Sequence, residues 1–234
     1  MIFPQLISTS NRLQALLEDS TDTVVKHKFP WPALSYGPCQ KFRRADLDII
    51  DAREKKNLWM LHLVVYPHFY DGAPIYGFDI IAGPKKVTGA FHDFSPMDHN
   101  NNIITQFGKN VKDFIPKKQR ELPEWARNIF SPYMIAAGNV KVDTDELTQL
   151  LDLAVSNLQM HLDSIGISRD EAWVDENYYA KNQSWYVYNQ RQNPHTARVM
   201  ESLGIEKDQV RKYIDEALWP LEEAWQDSKP VLSD

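Results

Sequence analysis

Between Phe42 and Pro96 lie four consecutive runs rich in β-branched and aromatic residues, "FRRADLDIIDA", "LWMLHLVVYP", "PIYGFDIIAG" and "KKVTGAFHDFSP". The segments joining them are short and turn-like. Parallel neighbours need a crossover of about a dozen residues or more, so these runs are expected to pair as an antiparallel meander. A fifth strand is expected in "FSPYMIAAGN", after a basic stretch, "GKNVKDFIPKKQR", read as loop and a short helix.

Outside the meander the period changes. A first helix is expected over Ser10 to Glu18, and "FPWPALSYGP" after it reads as proline-rich and irregular. "VDTDELTQLLDLAVSNLQMHLDSIG" carries Leu147, Leu150, Leu151, Ala154, Leu158, Leu162 and Ile165 on one helical face. Asp143, three residues before Glu146, has capping-box spacing, and Gly166 marks the stop. Ser168 and Glu171 repeat the cap ahead of a helix ending near Gln190, Asn193-Pro194 opens another that Gly204 closes, and a last helix runs from about Lys207 to Trp219. Strands early and helices mainly late give the α+β class: a three-layer α/β/α sandwich with a central antiparallel sheet flanked by helices, one domain over residues 1–234. Neither GxGxxG nor GxxxxGK[ST] occurs, so no nucleotide fold is expected.

Composition removes several classes of function. A net charge of −6 argues against a general nucleic-acid surface. The single cysteine, Cys39, can form no internal disulfide and no CxxC metal pair, which fits a cytoplasmic protein. No stretch approaches about 20 apolar residues, so no membrane span is expected, and the start lacks the pattern of a leader.

Residues two apart on a strand share a face. A reversal around Tyr70-Asp71-Gly72 places His62 opposite Asp79, and a reversal at Gly83-Pro84 would add Thr88 to the same row. An imidazole beside a carboxylate is either a cross-strand charge pair or a coupled titrating pair able to pass protons near neutrality. Two further clusters stand out. His92, Asp93, Asp98 and His99 suggest a metal site, but residues 92 and 93 face opposite ways on a strand, and a strand end entering a polar loop accounts for them as well. Asn193 and Pro194 form an ordinary helix start, whose functional version is a carboxylate received at a helix N-terminus flanked by Arg191, His195 and Arg198.

The run "LHLVVYPHFYDGAPIYGFDIIAG", with its Pro-x-Tyr-Gly-x-Asp core, resembles the ferredoxin-dependent bilin reductases, and "AFHDFSP" and "QRQNPHTARVM" resemble further segments of that family in order. The likeness runs from about Phe42 to Trp219. It implies biliverdin IXα held between the sheet and C-terminal helices of a monomer. No cofactor would be bound; electrons would come singly from reduced ferredoxin, and protons from the protein. By the same resemblance Asp79 and His62 are the catalytic pair, and the histidine points to the phycocyanobilin-forming members. Asp48 is similar in placement to an acid near the D-ring vinyl group. Thr88 and His195 correspond to propionate contacts, and Asn193 and Arg198 join them as substrate-binding residues.

The chain also departs from the family pattern. Most members carry an aspartate on the A-ring side where Pro194 stands here, and the arginine expected after "FSPYMI" is missing. This resembles a divergent, phage-type phycocyanobilin-forming branch. The competing products are 15,16-dihydrobiliverdin and phycoerythrobilin, and the competing class is a bilin carrier without turnover. Lys85, Lys86, Lys112, Lys117, Lys118 and Arg120 are the candidate basic patch for acidic ferredoxin.

Overall fold

The computed structural model describes residues 2–98, 101–142, 144–166 and 176–220. Its centre is the expected meander. β3 (Arg44–Ala52), β4 (Leu58–Tyr66), β5 (Ile75–Ala82) and β6 (Lys86–Ser95) pair antiparallel in chain order. β1 (Val24–Lys26) and β2 (Ala33–Tyr36) extend one edge, and β7 (Ile135–Ala137) and β8 (Val140–Lys141) both pair with β6 at the other.

Because the side-chain period is two, each central strand feeds two cores. Leu47, Leu61, Leu63, Val65, Tyr76, Phe78 and Ile80 pack with α1 (Phe3–Glu18), α3 (Asn102–Val111) and α5 (Asp145–Ser164). On the other face Ile50, Val64, Tyr66 and Ile75 meet α6 (Glu176–Gln190), α7 (Pro194–Ser202) and α8 (Lys207–Tyr213), through Tyr186, Met200, Val210 and Tyr213. α2 (Arg53–Lys56) and α4 (Glu124–Arg127) are single turns. The three-layer α/β/α sandwich follows from a sheet that is apolar on both faces. No helix among the described residues is long and apolar enough to cross a membrane.

Several local expectations are corrected. α1 starts at Phe3, not Ser10, because Ile2, Phe3 and Leu6 continue the stripe of Leu13 and Leu17 across a turn whose Thr9 and Ser10 are themselves buried. The proline-rich segment contains β2, whose four residues sit between Pro32 and Pro38, so neither ring removes a donor from the strand itself. α5 is capped by Thr144, whose Oγ1 accepts from the Leu147 amide at 3.3 Å, while Glu146 accepts from the Lys117 amide at 2.9 Å instead of closing a capping box. Asp143 and the expected Ser168–Glu171 cap lie outside the described residues. α5 ends at Ser164, and Gly166 beyond it adopts φ +71°, where a Cβ would sit 2.4 Å from the Gln40 carbonyl. The last helix widens after Tyr213 into a π-turn over Ile214–Leu218, closed by the Trp219 amide on the Ile214 carbonyl.

Thr144→Ala removes one N-terminal acceptor without touching the core. It is expected to lower the unfolding free energy by about 1 kcal/mol, and denaturant titration of the two proteins would measure it.

Candidate active site

The ladder places Asp48 of β3 opposite His62 of β4, and His62 opposite Asp79 of β5. A carboxylate, an imidazole and a second carboxylate therefore stand in a row across three central strands. The reversal inferred around Tyr70-Gly72 fixes the His62–Asp79 half of the row. Thr88 does not complete it: Asp79 pairs with Phe91. The β5–β6 reversal is longer than a two-residue turn at Gly83-Pro84, with the Gly83 amide bonded to the Lys86 carbonyl, and the register shifts at Ile81/Ala82. Thr88 is the residue left over at that shift, between Val87 opposite Ala82 and Gly89 opposite Ile81, and its hydroxyl donates to the Ile81 carbonyl at 3.0 Å.

His62 Nδ1 donates to Asp79 Oδ1 at 2.5 Å. Its Nε2 is buried without a hydrogen-bond partner, against the Trp219 ring whose centroid lies 4.8 Å away, edge to face. Burial opposes a charge on His62, but Asp79, Asp48 and Asp46 outweigh it and hold the imidazole pKa above its usual value. Asp48 is only 3% exposed, and its Oδ2 has no hydrogen-bond partner. Burial raises its pKa to about 7, against the opposing pull of His62 and with Asp46 adding to the rise, beside the Tyr213 hydroxyl. The Asp79 side chain is 39% exposed and opens on a cavity.

That cavity has a volume of about 340 Å³. Its floor is the acid row with Met60 and Ile81, and its roof is His195, Thr196, Val199, Tyr213, Leu218 and Trp219. Leu122, Pro123, Trp125, Phe130 and Met134 form a side wall, and Thr88 and Arg120 lie on its lining as well. Polar residues set among apolar and aromatic walls suit a large flat ligand with a few polar groups. Two arginines hold the π-turn of the roof. Arg44 donates to the Ala217 carbonyl at 2.9 Å while its Nε grips Asp46, and Arg191 donates to the Trp219 carbonyl at 2.8 Å and pairs with Asp215.

Of the residues anticipated from sequence, Asp48, His62, Asp79, Thr88, Asn193 and His195 all line this cavity. Arg198 is exposed and stands outside the lining. Asn193 is the N-cap, its side chain accepting from the His195 amide at 3.0 Å, and Arg191 is committed to the π-turn. Tyr213, Trp219 and the side wall were not anticipated, and Arg120, expected on the basic patch, lines the cavity as well. Asp46 was legible in principle, since it lies two residues from Asp48 on one strand and so shares its face.

The metal reading of His92, Asp98 and His99 is not supported. Among the described residues no group of three or more His, Cys, Asp or Glu is placed to hold a metal ion, and His99 lies outside them. His92 is fully buried, with Nδ1 donating to the Gly77 carbonyl at 2.8 Å and Nε2 accepting from Asn157 at 3.0 Å. Burial pushes its pKa down to about 4, the state of a neutral core histidine.

Comparison with known proteins bears directly on this site. The family model for ferredoxin-dependent bilin reductase matches residues 35–220. A phycocyanobilin:ferredoxin oxidoreductase of Prochlorococcus marinus (strain MIT 9313) is 30% identical over 186 residues, covering 77% of this chain and 67% of that protein. Its counterpart in Synechococcus elongatus is 28% identical over 190 residues, covering 78% and 73%. Among solved structures, a PcyX protein superposes with a TM-score of 0.66 at 31% identity, covering 93% of this chain and 99% of that one. The tomato phytochromobilin synthase, solved in complex with biliverdin, shares the fold with a TM-score of 0.64 at 14% identity, over 92% of this chain and 82% of its own.

Proposed function

The chain belongs to the ferredoxin-dependent bilin reductases and is a ferredoxin-dependent bilin oxidoreductase, and from that premise we propose that it reduces biliverdin IXα by four electrons to phycocyanobilin. The observation that carries this reading is the Asp48–His62–Asp79 row on the cavity floor. Electrons arrive one at a time from reduced ferredoxin, so each bilin radical must gain a proton before the next electron is useful. Asp79, which accepts from His62 and is open to the cavity, passes on the first proton, taking it from the His62 imidazolium across the 2.5 Å bond as it delivers it to the bilin. Asp48, on the far side of His62, is a second acid held half-protonated near neutrality.

This row also bears on Pro194, which has no proton to give at the position where the family pattern has an acid. With a carboxylate on each strand beside the one that carries the imidazole, acid chemistry concentrates on the sheet side of the cavity. Thr88, Arg120, Asn193 and His195 stand elsewhere on the lining, where they are assigned to the propionates and the outer edge of the bilin. For ferredoxin, the favoured approach is the end of the sheet where the 85–86, 118–120 and 138–142 segments meet. There Gly138 donates to the Lys118 carbonyl, Lys86 pairs with Lys141, and Arg120 reaches both that surface and the cavity. The exposed Lys85, Lys86, Lys117, Lys118 and Arg120 suit an acidic electron donor.

Incubation with biliverdin and reduced ferredoxin, followed by chromatography, tests the proposal. The expected result is transient radical absorbance and a product that co-elutes with phycocyanobilin. Co-elution with 15,16-dihydrobiliverdin or phycoerythrobilin would overturn the product assignment, and bound biliverdin left unchanged would overturn turnover itself.

A further inference from the structure

Reduction consumes a proton for every electron, so a four-electron product needs more protons than the three groups of the acid row can store. A bilin seated over the floor also separates that row from the cavity mouth. The row therefore has to be recharged from another side. On the neighbouring strands a hydrogen-bonded chain leads from the surface toward it.

We propose that His27, Ser35 and Asp46 form the inlet that carries solvent protons to the acid row, an inference that rests on reading the cavity as a bilin-reduction site. His27, in the β1–β2 turn, is half-buried and so reaches solvent, and its Nε2 lies 2.7 Å from Ser35 Oγ. Ser35 pairs with Asp46 across the β2–β3 ladder, and its hydroxyl donates to Asp46 Oδ1 at 2.5 Å. Asp46 is 2% exposed, lies two residues before Asp48 on the same strand face, and sits diagonally from His62 because its direct partner is Val64.

The transfer balances without any redox change. Burial holds the His27 pKa below its usual value, so the imidazole carries the extra proton only in passing, giving its Nε2 proton to Ser35 Oγ as the Ser35 hydroxyl proton passes to Asp46 Oδ1. His27 is left neutral and takes a new proton from water, and Asp46 hands its proton on to Asp48 or His62 and returns to the carboxylate. Burial holds the Asp46 pKa above the ordinary carboxylate value, and Arg44, whose Nε bonds both its oxygens, pulls the other way, so Asp46 can take up a proton and give it back. The groups facing His27 are Asp46 and Arg44 of β3, Glu216 of the π-turn and the Phe29 ring. His27, Ser35 and Asp46 act through the row, so they are positioning residues for proton delivery.

The test uses the full chain preloaded with biliverdin, mixed with reduced ferredoxin, with radical decay followed in His27→Gln and Ser35→Ala. Both variants are expected to form the radical at the normal rate and to lose it at least about tenfold more slowly. Added imidazole should restore decay in His27→Gln and not in Ser35→Ala, where the chain is cut further in. Normal decay in both variants would overturn the inlet while leaving bilin reduction standing. Slowed decay in His27→Gln that imidazole does not restore would overturn it too, since the side chain would then only hold β1 and β2 against β3. No ferredoxin-dependent change in the parent protein would instead sink the reading on which the inlet depends.

Discussion

Asp79→Asn is expected to bind biliverdin as the parent does and to reduce it about 10²–10⁴-fold more slowly, the range general-acid catalysis commonly supplies. The amide keeps the size of the carboxylate, and its oxygen can still accept from His62 Nδ1, so the floor of the cavity keeps its shape. What disappears is a proton that can leave and return. Electron delivery does not depend on that proton, so the bilin radical should form and persist, and its absorbance is the direct readout. Normal turnover by this variant would remove Asp79 from the proton path.

Asp48→Asn should separate stability from activity. The parent carboxyl has its pKa raised by burial to about 7 from an ordinary 3.8, so the folded state resists ionisation that the unfolded chain accepts. The sign follows directly. Below the unfolded value both states are protonated and nothing is lost; stability then falls as pH rises toward 7 and stays low above it. The full shift corresponds to a cost of about 4 kcal/mol above pH 7, an upper figure because the His62 charge shares it. The amide carries no such cost, so thermal melts should show the variant several degrees more stable at pH 8 and little different at pH 4, with slowed reduction throughout. A variant less stable than the parent at pH 8 would contradict the assignment of Asp48 as an acid held against its preference.

The distribution of acids explains how far the sequence could be read. Alternating runs with short reversals dictate an antiparallel sheet, and the spacing around Asp71-Gly72 sets His62 against Asp79 because a hairpin register is fixed by its turn. The same reasoning failed one hairpin later, where an extra residue in the Gly83–Lys85 reversal and the shift at Ile81/Ala82 moved Thr88 out of the row. Pairing between β3 and β4 runs through the single turn of α2, whose left-handed Asn57 sets the register that puts Asp48 beside His62. Asp48 was therefore placed only by resemblance. The roof was harder still. Trp219 reaches His62 from 157 positions along the chain because a π-turn and two arginines aim it there, and no local pattern encodes that approach.

Arg44 deserves reading as a joint between two halves of the cavity. One nitrogen restrains the acid at the edge of the floor, and another carries the backbone of the turn overhead. The guanidinium that neutralises Asp46 therefore also fixes how high the turn sits above it. The roof backbone and the acid at the edge of the floor are in that way held by one side chain.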